Sequence, residues 1–218
     1  MMTVAVKSCY RQLTLLVAAL PAVAPAAELY SWHAVDSVGL QTKKFEMLIH
    51  QRARARHELH YLDQVRAGGI LRWKSGFKNL IPYVGAYYQP QQIREDTWSS
   101  GRRFFAGLER PFTLHPSVSL TLRVAAERHS NTGRPDYNRY RTFERVVLGR
   151  GRVAPFLQNE WLAVRQGFHS VRNSGGLRVK VNGQITLEGG YLYDVRRAFW
   201  GGHRQAIVTA VRWTPKVQ

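Results

Sequence analysis

The residues of this chain best suited to chemistry fall in short polar clusters. Glu127-Arg128-His129-Ser130-Asn131 sets a carboxylate, an imidazole and a hydroxyl side by side, and Glu144 follows. A lipid acyl hydrolase or deacylase uses those types: a serine nucleophile, a histidine base and an acid that orients it. Adjacent residues of an extended strand point to opposite faces, so His129 and Ser130 meet only where a bulge intervenes. His169-Ser170 has the same arrangement. These clusters read first as polar loop residues, with His129, Ser130 and Glu144 as the candidates if the protein is an enzyme. Only His57-Glu58-Leu59-His60 approaches a metal-ligand spacing; His33, His50, His115 and His203 have no such neighbours. The expectation is no metal and no cofactor. Gly68-Gly69 and Gly189-Gly190 sit within strand-like alternation, where sheet curvature explains them better than a phosphate loop.

The larger constellation is cationic. The chain carries 32 Lys and Arg against 14 Asp and Glu, a formal net charge of +18. Such an excess suits nucleic acid, an anionic membrane or small anions. The basic residues are dispersed with a period of two, as in Arg52-Ala53-Arg54-Ala55-Arg56, which fits one face of a strand rather than a nucleic-acid tail.

The elements that position these residues are strands. Residues 176–194 read GLRVKVNGQITLEGGYLYD. Leu177, Val179 and Val181 alternate with Arg178 and Lys180, and Ile185, Leu187, Tyr191 and Tyr193 alternate with Thr186 and Glu188. Alternation on both sides of Asn182-Gly183 predicts a β-hairpin with a type I′ turn. Similar segments recur over 44–54, 62–74, 79–88, 101–111, 117–127, 138–148, 153–162, 171–181, 184–193 and 204–213. Four links are short: 75–78, 112–116, 149–152 and 182–183. The links at 55–61, 89–100, 128–137, 163–170 and 194–203 are longer and more polar. Short turns at one end, long loops at the other and strands of about ten residues predict an antiparallel, up-and-down transmembrane β-barrel of about ten strands. An even number would put both termini at the short-turn end. Aromatics such as Tyr83, Tyr87, Tyr88, Trp98, Phe104, Phe105, Trp161, Tyr191, Tyr193, Phe199, Trp200 and Trp213 lie near the strand ends, as interfacial girdles do.

The N-terminus gives the compartment. Lys7 and Arg11 precede an apolar run from Leu13 to Val23, followed by Ala24-Pro25-Ala26. That order predicts a secretory signal peptide over 1–26, too short an apolar run to span a bilayer comfortably. An uncleaved anchor helix is the alternative. The one cysteine, Cys9, lies in this leader, so the mature chain would hold no disulfide and no thiolate chemistry. Residues 27–43 are then expected as a periplasmic N-terminal segment, 44–213 as the barrel and 214–218 as a short periplasmic tail. Export argues against a nucleic-acid partner.

On the barrel reading, Arg52, Arg54, Arg66, Arg72, Arg123, Arg139, Arg141, Arg145, Arg178 and Lys180 face the lumen, with Glu46, Glu127, Glu160 and Glu188 opposite them. They either fill a narrow interior with ion pairs or line a porin-like path that favours anions. A soluble sandwich would turn the Val, Leu and Tyr faces inward instead. The runs RVAAERHSNTGRPDYNRYRTFERVVL, PFLQNEW and VKVNGQITLEGGYLYDV resemble an uncharacterised bacterial family known only as a domain of unknown function and placed among outer-membrane β-barrels. Arg123, Glu127 and Arg128, then Arg139 and Arg141, then Glu160 match its pattern, and the likeness covers most of residues 40–213. It implies a barrel in a Gram-negative outer membrane, with that membrane's lipid around it and the barrel-assembly machinery as a biogenesis partner. Basic loops would meet lipopolysaccharide phosphates. It implies no activity. The expected role is a non-enzymatic structural barrel or narrow anion pore. The competing classes are a lipid-modifying barrel enzyme and a soluble exported β-protein that binds an anionic partner.

Overall fold

A computed structural model describes residues 28–56, 61–74, 77, 79–94, 97–196 and 202–215. The leader at 1–26, the loop residues 57–60, and Phe199 and Trp200 lie outside them. The described residues form strands and connections only. These are β1 (Glu28–Gln41), β2 (Phe45–Arg56), β3 (Tyr61–Trp73), β4 (Ile81–Tyr88), β5 (Gln91–Arg94), β6 (Thr97–Ser99), β7 (Gly101–His115) and β8 (Val118–Asn131). They continue as β9 (Arg134–Leu148), β10 (Val153–Val164), β11 (Gly167–Lys180), β12 (Ile185–Arg196) and β13 (Arg204–Trp213).

Each strand pairs antiparallel with its neighbour, and β1 closes the sheet by pairing with β13. The result is a closed barrel of eleven strands, with β5 and β6 forming a small hairpin beside β3. Closure leaves no long edge for another chain to pair with. Because the strand number is odd, the closing pair is parallel: Glu28 lies opposite Arg204 and Ser37 opposite Trp213. The two termini therefore leave the barrel at opposite ends, not together.

Residues 27–43 do not form a separate segment, since 28–41 are a full strand of the wall. Two of the expected long loops are also tight turns. β8 and β9 join through Thr132 and Gly133, where Gly133 takes a φ of 75°. β10 and β11 join through Arg165 and Gln166, with Gly167 at 105°. The long connections at that end are thus those after β2, β4 and β12. The Asn182-Gly183 hairpin forms without the positive φ angles of a type I′ turn. The Asn182 side chain instead accepts hydrogen bonds from the backbone N–H of Gln184 and Ile185, both at 2.8 Å, an Asx turn.

The faces of the strands have a clear polarity. Met47, Ile49, Leu71, Val84, Phe104, Leu108, Val124, Tyr140, Trp161, Leu177, Leu187, Ile207 and Val211 are exposed on the outside. Glu46, His50, Arg54, Arg66, Arg103, Glu109, Glu127, Arg139, Glu160 and Arg172 are buried inside. A water-soluble domain sorts its residues the other way. Phe45, Trp73 and Trp213 face outward near one end, Tyr88 and Trp161 nearer the other. Tyr83, Tyr87 and Phe105 are not part of any girdle: they form an apolar cluster inside the lumen. Glycines make room for them. A Cβ at Gly68 would meet the Tyr87 ring, at Gly85 the Phe105 ring, and at Gly107 the Tyr83 ring.

Candidate functional site

The inward faces enclose one cavity of about 1470 Å³. Its lining runs from Ser119, Lys180 and Thr214 at the short-turn end to Gln91, Asp136 and Gln166 at the other. Strand alternation sets this arrangement: every second residue of β2, β3 and β7–β12 points inward, and most of these are polar. Arg52, Arg54, Arg66, Arg72, Arg123, Glu127, Arg139, Arg141, Arg145, Glu160, Arg178, Lys180 and Glu188 all line the cavity. Glu46 is buried in the wall and pairs with the lining residue Arg72 at 2.5 Å. Fifteen Arg and Lys side chains line the cavity against six Asp and Glu.

Most of the charge is organised by carboxylates on β7–β12. Glu127, 3 % exposed, bonds Arg103 at 2.5 Å, Arg139 at 2.7 Å and Arg141 at 3.0 Å, and accepts from His129 Nε2 at 3.1 Å. Arg141 also reaches Glu160 at 3.0 Å; Glu160 holds Arg172 at 3.0 Å. Arg172 continues to Asp194 at 3.2 Å, and Asp194 to Arg196 at 2.7 Å. Nearer the short-turn end, Glu109 bridges Arg72 and Arg123, and Arg145 pairs with Glu188 at 2.6 Å. Each buried carboxylate here has at least one guanidinium, as burial of a charge requires.

The wall made by β1–β3 is organised differently. Arg54 lies 4.0 Å above the Trp32 ring, and Arg52 sits opposite Arg66 in the β2–β3 register. Arg66 is stacked 4.7 Å from the Tyr87 ring and donates to His50 Nε2 at 3.0 Å. The other ring nitrogen, Nδ1, bonds Asp36. Among the described residues, none of these three arginines has an ion pair with a carboxylate.

The catalytic candidates are not brought together. His129 faces the lumen, stacked 4.6 Å from Tyr137, while Ser130 and Glu144 lie on the other face of their strands. A register shift beside His169 does bring His169 Nδ1 and Ser170 Oγ to 3.1 Å, the contact that unbulged alternation forbids. Ser170 is 0 % exposed and does not line the cavity, so no substrate carbonyl reaches its hydroxyl. No group of His, Cys, Asp and Glu among the described residues has the geometry of a metal site.

The sequence reading left out several lumen residues. Arg103 and Glu109 carry the signal of their neighbours, alternating with Phe104, Ala106 and Leu108. Arg172, Asp194, Arg196 and Arg204 extend the inward faces of β11–β13 by the same rule. Trp32 and Asp36 went unread with β1.

Fold and site together define an inside-out, arginine-lined β-barrel. No protein-family model matches this chain, and no curated protein is similar to it. The resemblance to an uncharacterised outer-membrane family therefore rests on its short motifs alone.

Proposed function

We propose that this protein is a small, non-enzymatic barrel of a Gram-negative outer membrane whose lumen admits small anions. The observation that carries the reading is the lumen itself. It is a continuous cavity lined from both ends, with fifteen basic side chains against six acidic ones. A narrow path with excess fixed positive charge concentrates anions and repels cations. The membrane part rests on the exposed Leu, Val, Ile and Trp residues outside, which cost free energy in water and gain it in lipid. The leader-like N-terminus and the match to the outer-membrane pattern support the compartment. Eleven strands fall between the eight that side chains fill and the sixteen that leave an aqueous channel.

The test has two parts. Protein extracted from separated outer membranes should migrate as a compact form unboiled and shift on boiling. In planar bilayers under a KCl gradient, the reversal potential should have the sign of chloride permeation. Replacing Arg52 and Arg66 by Gln should move that potential toward zero. Recovery in the periplasm without detergent, or a cation-selective reversal potential, would sink the reading.

A further inference from the structure

One feature of the lumen lies outside the ion-pair network. Arg52, Arg54 and Arg66 converge on one stretch of the lumen wall with no carboxylate in ion-pair contact among the described residues, Glu160 and Glu127 acting on Arg52 and Arg66 only from further off. Every carboxylate that β1–β3 turns inward is engaged elsewhere: Asp36 with His50, Glu46 with Arg72, and Asp63 with Arg56 at 3.9 Å. His50 offers Arg66 a neutral ring nitrogen, since Arg66 donates to Nε2 and Nδ1 keeps its hydrogen for Asp36.

Like charges directly opposite one another across a strand pair repel, and Arg52 and Arg66 occupy such positions. Arg54 follows two residues along the same face of β2. It is 9 % exposed. Its Nε–H and that of Arg66 have no acceptor among the described residues. The same is true of Arg103, Arg141 and Arg172, but those three have carboxylate partners and Arg54 and Arg66 have none. A buried guanidinium with unmet donors is costly unless an acceptor arrives. Trp32 and Tyr87 hold the planes of Arg54 and Arg66, leaving the Arg54 donor edge, and the Arg66 donors not given to His50, to meet a ligand. Arg66 and Arg54 both line the cavity, so a solute in the lumen reaches them.

We propose that Arg52, Arg54 and Arg66 form a binding site for a doubly charged oxyanion of the phosphate class. Guanidinium forks match the spacing of two oxygens on a tetrahedral anion, and several such forks around one ion favour phosphate over chloride. The site deepens the anion-lumen reading by assigning a ligand class and a place, and it rests on that reading for access from solvent. It lies within the barrel, so its ligand is a dissolved phosphate rather than a lipid headgroup.

The experiment is calorimetric titration of the full chain in detergent with inorganic phosphate, at ionic strength held constant with chloride. Binding should saturate at one phosphate per chain, and sulfate should compete. Arg54→Gln should weaken binding at least tenfold, and the Arg52→Gln/Arg66→Gln pair should abolish it. Arg54→Lys, which keeps the charge and loses the fork, should fall between Arg54→Gln and the parent. Arg110→Gln, which removes an equal charge from the outer face, should bind like the parent. The boiled-to-unboiled gel shift checks that each variant is folded. Absence of saturable binding, or equal loss in Arg110→Gln and Arg54→Gln, overturns the site. Anion-selective conductance without phosphate binding would overturn the site and leave the pore standing. Saturable binding in a non-conducting barrel would do the reverse.

Discussion

Two walls of the same lumen solve the burial of arginine in different ways. On β7–β12, guanidiniums alternate with carboxylates in a continuous chain from Arg103 through Glu127, Arg141, Glu160 and Arg172 to Asp194. On β1–β3, Arg52, Arg54 and Arg66 lean on Trp32, Tyr87 and the neutral His50 instead. The first wall is largely paired, with Arg178 and Lys180 near the short-turn end outside the chain, and it acts as scaffold. The second is open and can still bind. Trp32 stands where they meet, since Arg172 lies 5.4 Å from the same ring that carries Arg54. Lumen arginine is therefore not one population, and only its unpaired part is free to attract a solute.

The largest effect should come from breaking the closed wall. Glu127→Ala leaves Arg103, Arg139 and Arg141 short of a shared counter-charge. Removing one member of a buried ion pair costs about 3–5 kcal/mol. The urea midpoint of the compact, unboiled gel band should fall accordingly, and an unchanged midpoint would refute the scaffold role. A smaller effect, of opposite sign, should follow on the open wall. Arg52→Gln relieves a cross-strand repulsion of about 0.2–1 kcal/mol, so in phosphate-free buffer the same midpoint should hold or rise. A clear fall would mean that Arg52 has a stabilising partner after all. The smallest effect belongs to the rim. Arg128 and Asp136 form an ion pair at 3.0 Å, both well exposed, and Asp136→Asn should leave the midpoint where it was. Exposed pairs contribute little because water and salt screen them. Any sizeable loss there would show that pairing, rather than burial of the pair, sets the strength of the closed wall.

How much of this was legible in the sequence depended on contrast between the two faces of each strand. In β8, Leu122 and Val124 against Arg123 and Glu127 reads unambiguously, and the structure sorts them as the alternation predicts. Apart from Glu46, which is buried beside Arg72, the lumen set taken from such strands lines the cavity. β1 lacks that contrast. Its inward side carries Tyr30, Trp32 and Val38, and its outward side Ser31, His33 and Ser37, so neither period nor polarity marks it as a strand. Losing β1 also lost Asp36 and Trp32, and with them the eleventh strand. The division of the arginines into paired and unpaired could not be read either. It depends on which carboxylate of another strand stands opposite, and register across strands is not written within any one of them.

The parallel seam between β1 and β13 has a consequence for how the molecule can be addressed from outside. His33 on β1 bonds Thr209 on β13 at 2.7 Å across that seam, fixing two strands that run the same way. A tag joined ahead of β1 and one joined after β13 would therefore sit on opposite sides of any bilayer the barrel spans. Intact cells would expose one tag to an antibody and hide the other, making the chain a ruler of its own orientation.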